Sequence, residues 1–384
     1  MNREGILVSK GKQFEHQVVS DFLSGKVSRL QASELLGVQQ RSISRMARRI
    51  EKKGLMSLVH GNVGRSPSNV VSKSTQTEVM RLVEGRYFDF NMTHCLEKLT
   101  QEHGYKISYM TLRRWCHAKH LVKRKKRRPS KARRHRDRMD CEGLLLQMDG
   151  SPHKWNGRDI WTLIGAIDDA TSKIPYAEFF LSEDTLSCMA VMKKIIERNG
   201  IPYALYVDKA GWFGGSKRQN FAQFKRACEE LDINVIFANS PQAKGRIERA
   251  WNTIQDRLIP EMRIRNIKRV PAANDYLLSQ FLPNYWDRRN TVTARNSEAK
   301  YRQVSPGTDL KEIFCIKEYR VVKGDHTISW NSELYQLDPQ MNHSIQGQEI
   351  EIRTYLDLTW RTFFAGREIL IAKINVPKRY QAAA

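Results

Sequence analysis

The chain has 384 residues, long enough for two to four domains with hydrophobic cores of their own. Sixty-five Lys and Arg against 41 Asp and Glu leave a formal charge of +24. This favours a polyanionic partner, with a basic nucleic-acid-binding protein as the first class to consider; composition alone does not separate it from a merely soluble basic protein. Cys95, Cys116, Cys141, Cys188, Cys228 and Cys315 form no C-x-x-C pair, which argues against a zinc ribbon or a disulfide framework and for buried free thiols. MNREGILVSKGKQ lacks a signal-peptide core and no run reaches the ~18 apolar residues of a membrane span, so a cytoplasmic, nucleoid-associated protein without a membrane partner is expected.

Residues 1–59 predict a helix-turn-helix unit of three short helices between Gln13 and Gly54. Ala32, Leu35, Leu36, Gly37, Val38, Ile43 and Met46 give apolar residues at helical period on either side of a glycine turn. The following helix carries Gln39, Gln40, Arg41, Ser44, Arg45, Arg48 and Arg49, so groups able to reach base edges come first and a phosphate-facing basic side follows. A helical hairpin with a basic outer face is the plainer alternative. The turn-rich HGNVGRSPSN ends the unit.

Residues 70–122 predict a second helical DNA-binding unit. Asn91 is placed to cap the helix with Leu96 and Leu99, and Ser108 the helix with Met110, Leu112 and Trp115, which Arg113, Arg114 and Lys119 decorate. Residues 123–140 read as a basic linker. Lys123, Arg124, Lys125, Lys126, Arg127, Arg128, Arg133 and Arg134 repel one another, and Pro129 breaks any helix. Extended at ~3.3 Å per residue, the sixteen residues to Arg138 cover roughly 50 Å, more than a ~34 Å turn of duplex. A tether that tracks phosphates is the favoured reading over a solvated linker or a targeting signal.

Over residues 141–300 the pattern becomes α/β. GLLLQMD, DIWTLIGAID and IPYAEFF are strand-length apolar runs in close succession, implying neighbouring antiparallel strands. A helix over 183–198, the strand ALYVD, a helix over 220–231, the strand NVIFA and a long helix from Ser240 complete the order of a ribonuclease-H-like domain. Residues 313–377 hold short runs punctuated by Gly324, Gly347 and Gly366, which predict a small β-barrel or sandwich, with the barrel preferred.

Three acids fall where this order brings them together. Asp149 is expected to end the first strand and Asp208 the fourth, which are neighbours in such a sheet; Glu248 is on the last helix beside them. Bare convergence of three carboxylates is costly because like charges raise one another's pKa. Divalent cations remove that cost, and carboxylates are the hard oxygen ligands of Mg²⁺ or Mn²⁺. Two such ions in the site, held by Asp149, Asp208 and Glu248, would activate a water or 3′-hydroxyl and stabilise the leaving oxygen of an in-line phosphoryl displacement. Ser240 and Pro241 supply helix-start chemistry, and Ile247, Trp251, Ile254 and Leu258 repeat at helical spacing. Glu248 then stands on an adjacent stripe with Lys244, Asn252 and Gln255, and Lys244, Arg246 and Arg249 place positive charge near the phosphate. Asp168 and Asp169 read as a turn after a strand, with an outer role at the site as the alternative. His153 reads equally as a loop residue or a neighbour of the phosphate; Trp155, Trp161, Trp212 and Trp251 read as core.

QMDGSPH (147–153), AIDDATSKI (166–174), YVDKAG and NSPQAKGRIERAW (239–251) resemble the integrase-core transposases of bacterial insertion sequences, most of all the ISNCY type. The resemblance covers most of the chain. It implies that Asp149, Asp208 and Glu248 are a catalytic acid triad, and that the protein binds terminal inverted repeats, nicks 3′ ends and joins them to target duplex. It further implies work as at least a homodimer. The loop after Asp208, with Lys209 and Ala210, departs from the common pattern. The rival readings are a regulator that has lost catalysis and a ribonuclease or resolvase on the same fold.

Overall fold

The computed structural model describes residues 10–58, 70–122, 136–208, 216–238, 245–338 and 344–374, and the chain divides into two compact units, 1–78 and 79–384. In the first unit, α1 (Lys10–Leu23), α2 (Arg29–Leu36) and α3 (Gln40–Lys53) pack around Val18, Val19, Ala32, Ile43, Ala47 and Ile50. Ser28 starts α2 with a capping box: its Oγ accepts from Gln31 N, and the Gln31 side chain accepts from Ser28 N. Gly37 ends α2 at φ 62°, a left-handed conformation that glycine adopts without steric cost, and the chain turns directly into α3. The three helices match the expected ones in place and order.

α4 (Lys73–Gly85) spans the division at residue 78, and α5 (Met92–Gln101) and α6 (Tyr109–Ala118) follow in the second unit. The caps are those read from sequence: Asn91 Oδ1 accepts from His94 N at 2.8 Å, and Ser108 Oγ from Thr111 N at 3.1 Å. The α/β portion follows as β1 (Leu145–His153), β2 (Trp161–Asp168), β3 (Tyr176–Phe180), α7 (Thr185–Asn199), β4 (Ala204–Asp208), α8 (Ser216–Glu229), β5 (Asn234–Ala238) and α9 (Gly245–Ile264). The sheet order is β3-β2-β1-β4-β5, with β1, β2 and β3 antiparallel and β4 and β5 parallel to β1, which is the order expected from the sequence.

Apolar cores cover both faces. On one, α7 and α8 bury Met189, Val191, Met192, Ile195, Phe224 and Ala227 against Leu146, Met148, Leu205 and Val207. On the other, α9 buries Ile247, Trp251, Ile254 and Leu258 against Leu163, Ile167 and Phe179. α10 (Val270–Tyr276) supports α9 and continues through a π-helical stretch, Leu277–Trp286, that contains Pro283. All six cysteines are buried and unbridged, and no helix of the described residues is long and apolar enough to cross a membrane.

The C-terminal region corrects the barrel expectation. Its strands divide into a four-stranded sheet, β11-β10-β9-β6, and a three-stranded sheet, β12-β8-β7, built from β6 (Ile316–Val321), β7 (Thr327–Trp330), β8 (Glu333–Leu337), β9 (Glu349–Thr354), β10 (Trp360–Phe364), β11 (Arg367–Ile369) and β12 (Ile371–Ile374). Ile328, Trp330 and Leu337 meet Ile350 and Ile352 in a shared core. Strands of three to six residues fill one side of such a core, but no ladder among the described residues closes the two sheets into a ring.

Charged groups join α5 to α9 and α10. The buried Glu261 carboxylate accepts from His94 Nε2 at 2.7 Å and pairs with Lys98 Nζ at 2.8 Å and with Arg265. Glu97 pairs with Arg257 at 2.5 Å and with Arg289, and Asp89 with Arg263 at 2.6 Å. Burial pushes the Glu261 carboxyl up, but the hydrogen bonds from His94 and Lys98 and the charges of Lys98 and Arg265 override it and hold it at about 2. Glu97 is lowered likewise: burial acts upward, and Arg257 and Arg289 outweigh it. An unfolded glutamate titrates near ~4.3, so the stabilisation is complete above that pH and is lost as pH falls from about 5 towards 2. Urea unfolding followed by tryptophan fluorescence should show this acid loss, and Glu261→Gln should flatten it in that window while lowering stability at pH 7.

Candidate active site

Asp149 is not the end of its strand, as expected from sequence, but lies inside β1. Antiparallel pairing to β2 runs on to His153↔Trp161, whereas parallel pairing to β4 covers only Leu145↔Ala204, Leu146↔Leu205 and Gln147↔Tyr206. β1 therefore parts from β4 close to Asp149, opening a crevice at the carboxyl end of β4, where open α/β sheets place their ligands. The last paired residues, Gln147 and Tyr206, lie two positions before Asp149 and Asp208, so both acids stand just beyond the point where the ladder ends.

Side chains alternate along a strand, so Gln147, Asp149 and Ser151 share a face. Gln147 Oε1 accepts from Ile247 N at 3.3 Å, and Ser151 Oγ accepts from Gln255 Nε2 at 2.8 Å. These two bonds pin α9 along β1 on either side of Asp149. The lengths agree: eight helical residues rise ~12 Å and four strand residues ~13 Å. Between the pins, Trp251 packs against Gly165, the cross-strand partner of Asp149. A Cβ at Gly165 would lie 2.6 Å from Ala177 Cβ and 3.1 Å from Trp251 Cη2, so the close approach of helix and sheet depends on this glycine. Glu248, one residue beyond the first pin, is exposed on α9. Ile247, Trp251, Ile254 and Leu258 are buried, as the periodicity predicts.

Asp169 is wholly buried and gathers four donors. Gln147 Nε2 donates to it at 2.7 Å, Arg246 Nη1 at 2.8 Å and Met139 N at 2.9 Å, with Arg136 also paired to it. One carboxylate thus joins β1, the first turn of α9 and the segment leading into the sheet. Asp168 makes the turn itself, accepting from Thr171 N at 2.7 Å, Thr171 Oγ1 at 2.8 Å and Gly143 N at 2.9 Å. Burial raises its carboxyl and these bonds oppose the rise. The sequence had favoured a turn for both acids; Asp168 fills it and Asp169 does not. The signal available was the pair of adjacent acids following a strand in so basic a chain.

This changes the reading of some cations. Arg246 was expected to lie near the phosphate, but its guanidinium is held by Asp169 and by the Arg136 carbonyl, with little exposure. Arg136 and Arg138, at the end of the basic stretch, are bonded to Asp169 and the following turn. Arg249 is exposed, its Nε donating to Gly245 O. Lys244 and Lys123, Arg124, Lys125, Lys126, Arg127, Arg128, Arg133 and Arg134 lie outside the described residues, as do Trp212, Ser240 and Pro241. On α3, Gln39, Gln40, Arg41, Arg45 and Arg48 are exposed, while Ser44 is half-buried against the Gln40 carbonyl. Arg113 and Arg114 are exposed on α6. Trp155, Trp161 and Trp251 are buried; Trp155 Nε1 donates to Ser151 O, and His153 is exposed.

One residue near the site escaped the sequence reading. The Glu183 carboxylate, just before α7, occupies the space beside Gly150 where a Cβ would sit, 2.3 Å from the ideal position. Because side chains alternate along β1, this carboxylate lies on the α7 side of the strand, opposite the face shared by Gln147, Asp149 and Ser151. Among the described residues no three His, Cys, Asp or Glu side chains are gathered to hold a metal ion, and the side chain of Asp208 is not among those described. The donor chemistry nevertheless fits a hard divalent cation: carboxylate residues on adjacent strands and on the helix that packs beside them.

No family model matches the chain. It is 32% identical over 362 residues to the transposase y4bF of Sinorhizobium fredii, covering 90% of this chain and 78% of that protein. It is 26% identical over 366 residues to the transposase for insertion sequence IS1202 of Streptococcus pneumoniae, covering 84% and 77%. Among solved structures, a chain of the simian T-cell lymphotropic virus intasome with PP2A regulatory subunit B56 gamma gives TM-score 0.35 at 13% identity, covering 70% of this chain and 95% of that one. The catalytic core domain of BIV integrase gives 0.30 at 21%, covering 40% and 90%.

Two substitutions test the packing. Asp169→Asn leaves Arg246 without its buried anion and should cost about 3 kcal/mol. Gly165→Ala should cost about 1–3 kcal/mol through overpacking against Ala177 and Trp251. Both are read from denaturant midpoints at constant m value.

Proposed function

Because the chain belongs to a family of transposases, we propose that it is an integrase-core enzyme that binds the terminal inverted repeats of an insertion sequence, nicks their 3′ ends and joins them to target duplex. The observation that supports this is the pairing of β1 with β4, which ends two residues before Asp149 and Asp208, beside a helix pinned to β1 on both sides of Asp149. Asp149, Asp208 and Glu248 would hold two Mg²⁺ or Mn²⁺ ions, which supply Lewis-acid stabilisation of the oxygens that carry charge in an in-line displacement.

In the first step water attacks the phosphodiester at the element end, the P–O3′ bond breaks, and a free 3′-hydroxyl remains. In the second that hydroxyl attacks a target phosphodiester and displaces the target's own 3′ oxygen. No covalent protein intermediate is needed, so the chain's task is to fix geometry. Gln147 and Ser151 hold α9 in line with β1, and Asp169 fixes the first turn of α9, one turn before Asn252.

Repeat recognition falls to the outer face of α3, where Gln39, Gln40, Arg41, Arg45 and Arg48 stand free of the helix's buried side. The basic residues 123–135 lead towards the catalytic unit and suit phosphate contact. The C-terminal sheets add non-specific DNA or protein contacts. Joining two ends in one synapse calls for at least a dimer, one site serving each end.

The test is cleavage of a labelled end duplex in Mg²⁺. Asp149→Asn and Glu248→Gln should each lower nicking by 10³-fold or more, on the order of 4 kcal/mol, with gel-shift affinity for the same duplex unchanged. Nicking at the parental rate, or loss of binding together with activity, overturns this division of labour.

A further inference from the structure

A groove of about 1080 Å³ runs between α6 and α9. One wall is the α6 stripe Tyr109, Arg113 and His117, spaced four residues apart and so aligned on one helix face. The other is the α9 stripe Asn252, Thr253 and Asp256. Asn252 is one turn beyond Glu248, ~6 Å along the axis, and Asp256 is ~12 Å along it. The groove thus begins beside the acid and leads away from it.

Its walls are fixed. The ion pairs of Glu97 with Arg257 and Arg289, of Glu261 with Lys98, and of Asp89 with Arg263 clamp α5 and the segment before it to α9, Asn91 Nδ2 donates to Asp256, and α6 packs on α5. The arginines of that clamp are each matched by an acid. Arg113 is different: it is exposed, faces the groove, and has no acidic partner among the described residues. A guanidinium left over at a polar groove, with His117 one turn away and the amide and hydroxyl of Asn252 and Thr253 opposite, suits a phosphodiester backbone better than an apolar or basic occupant. Tyr109, 41% exposed at the end of the stripe, offers a face on which an unpaired base can stack.

We propose that this groove seats the DNA strand leading into the active site, with Arg113 bonded to a phosphate within about four nucleotides of the reacting one, as ~12 Å at ~3.4 Å per nucleotide allows. The α4–α6 helices are then a wall of the catalytic unit and not a freely tethered reader. The inference rests on the function proposed above and names the part of the substrate that the site holds.

The probe is a fluorescein-labelled 30-bp duplex taken from the DNA flanking the chain's coding sequence, titrated with the full-length protein at several salt concentrations. Arg113→Ala should weaken binding and reduce the slope of log affinity against log salt by about one, with unchanged circular dichroism and Tm because the side chain is exposed. Independently, benzoylphenylalanine at position 109 should crosslink within about four nucleotides of the processed 3′ end. An unaltered salt slope, or crosslinks confined to distant nucleotides, overturns the groove assignment; if Asp149→Asn still abolishes nicking, the proposed function stands without it. Nicking that survives Asp149→Asn overturns the catalytic reading on which the groove's role depends.

Discussion

A single buried carboxylate sets the geometry of the catalytic unit. Asp169 has no solvent exposure, and a charge in that position is tolerable only if its lone pairs are filled. Gln147, Met139, Arg246 and Arg136 fill them. Because these donors come from β1, α9 and the segment before the sheet, the need to satisfy one anion fixes the relative position of the elements. Gln147 is doubly committed, donating to Asp169 and accepting from Ile247 N, so the first turn of α9 is tied to β1 through both its backbone and its Arg246 side chain.

The charge excess has to be read against this use. Arg246, Arg136, Arg138, Arg257, Arg263 and Arg265 all belong to internal networks, where they balance buried acids or carbonyls. They leave little for a polyanion. Exposed cations remain among the described residues on the outer face of α3 and on α6, and also at Lys154, Arg158, Arg249, Lys268 and Arg269. A net charge of +24 therefore points to a class of partner and not to individual contacts, because electrostatic attraction at long range adds all charges while hydrogen bonding at short range consumes them one by one.

What the sequence makes legible follows from periodicity and local chemistry. The sheet order could be anticipated because each strand is a short apolar run and each helix has one buried stripe; Ile247, Trp251, Ile254 and Leu258 name the buried face of α9 from spacing alone. The caps at Asn91 and Ser108 are legible for the same reason, since a cap is decided within four residues. The roles of Asp169, Arg246 and Glu183 were not, because they depend on partners up to a hundred residues away. Arg246 next to Glu248 looks like a phosphate ligand until Asp169 is seen to take it. The missing barrel is a third case: alternation identifies strands but not which edges meet, and closure is a property of edges.

Glycine governs the packing around the strand that carries Asp149. Gly165 lets Trp251 rest on the sheet at the strand position opposite Asp149, and Gly150 leaves room on the next residue for the Glu183 carboxylate. No strain in their own backbone accompanies this packing, since neither Asp149 nor Glu248 has positive φ. Crowding of like charge raises the free energy of the ion-free chain. In the convergence proposed above, the buried network at Asp169 and the apolar core beneath α9 would hold the helix in place against that repulsion until a divalent cation relieves it.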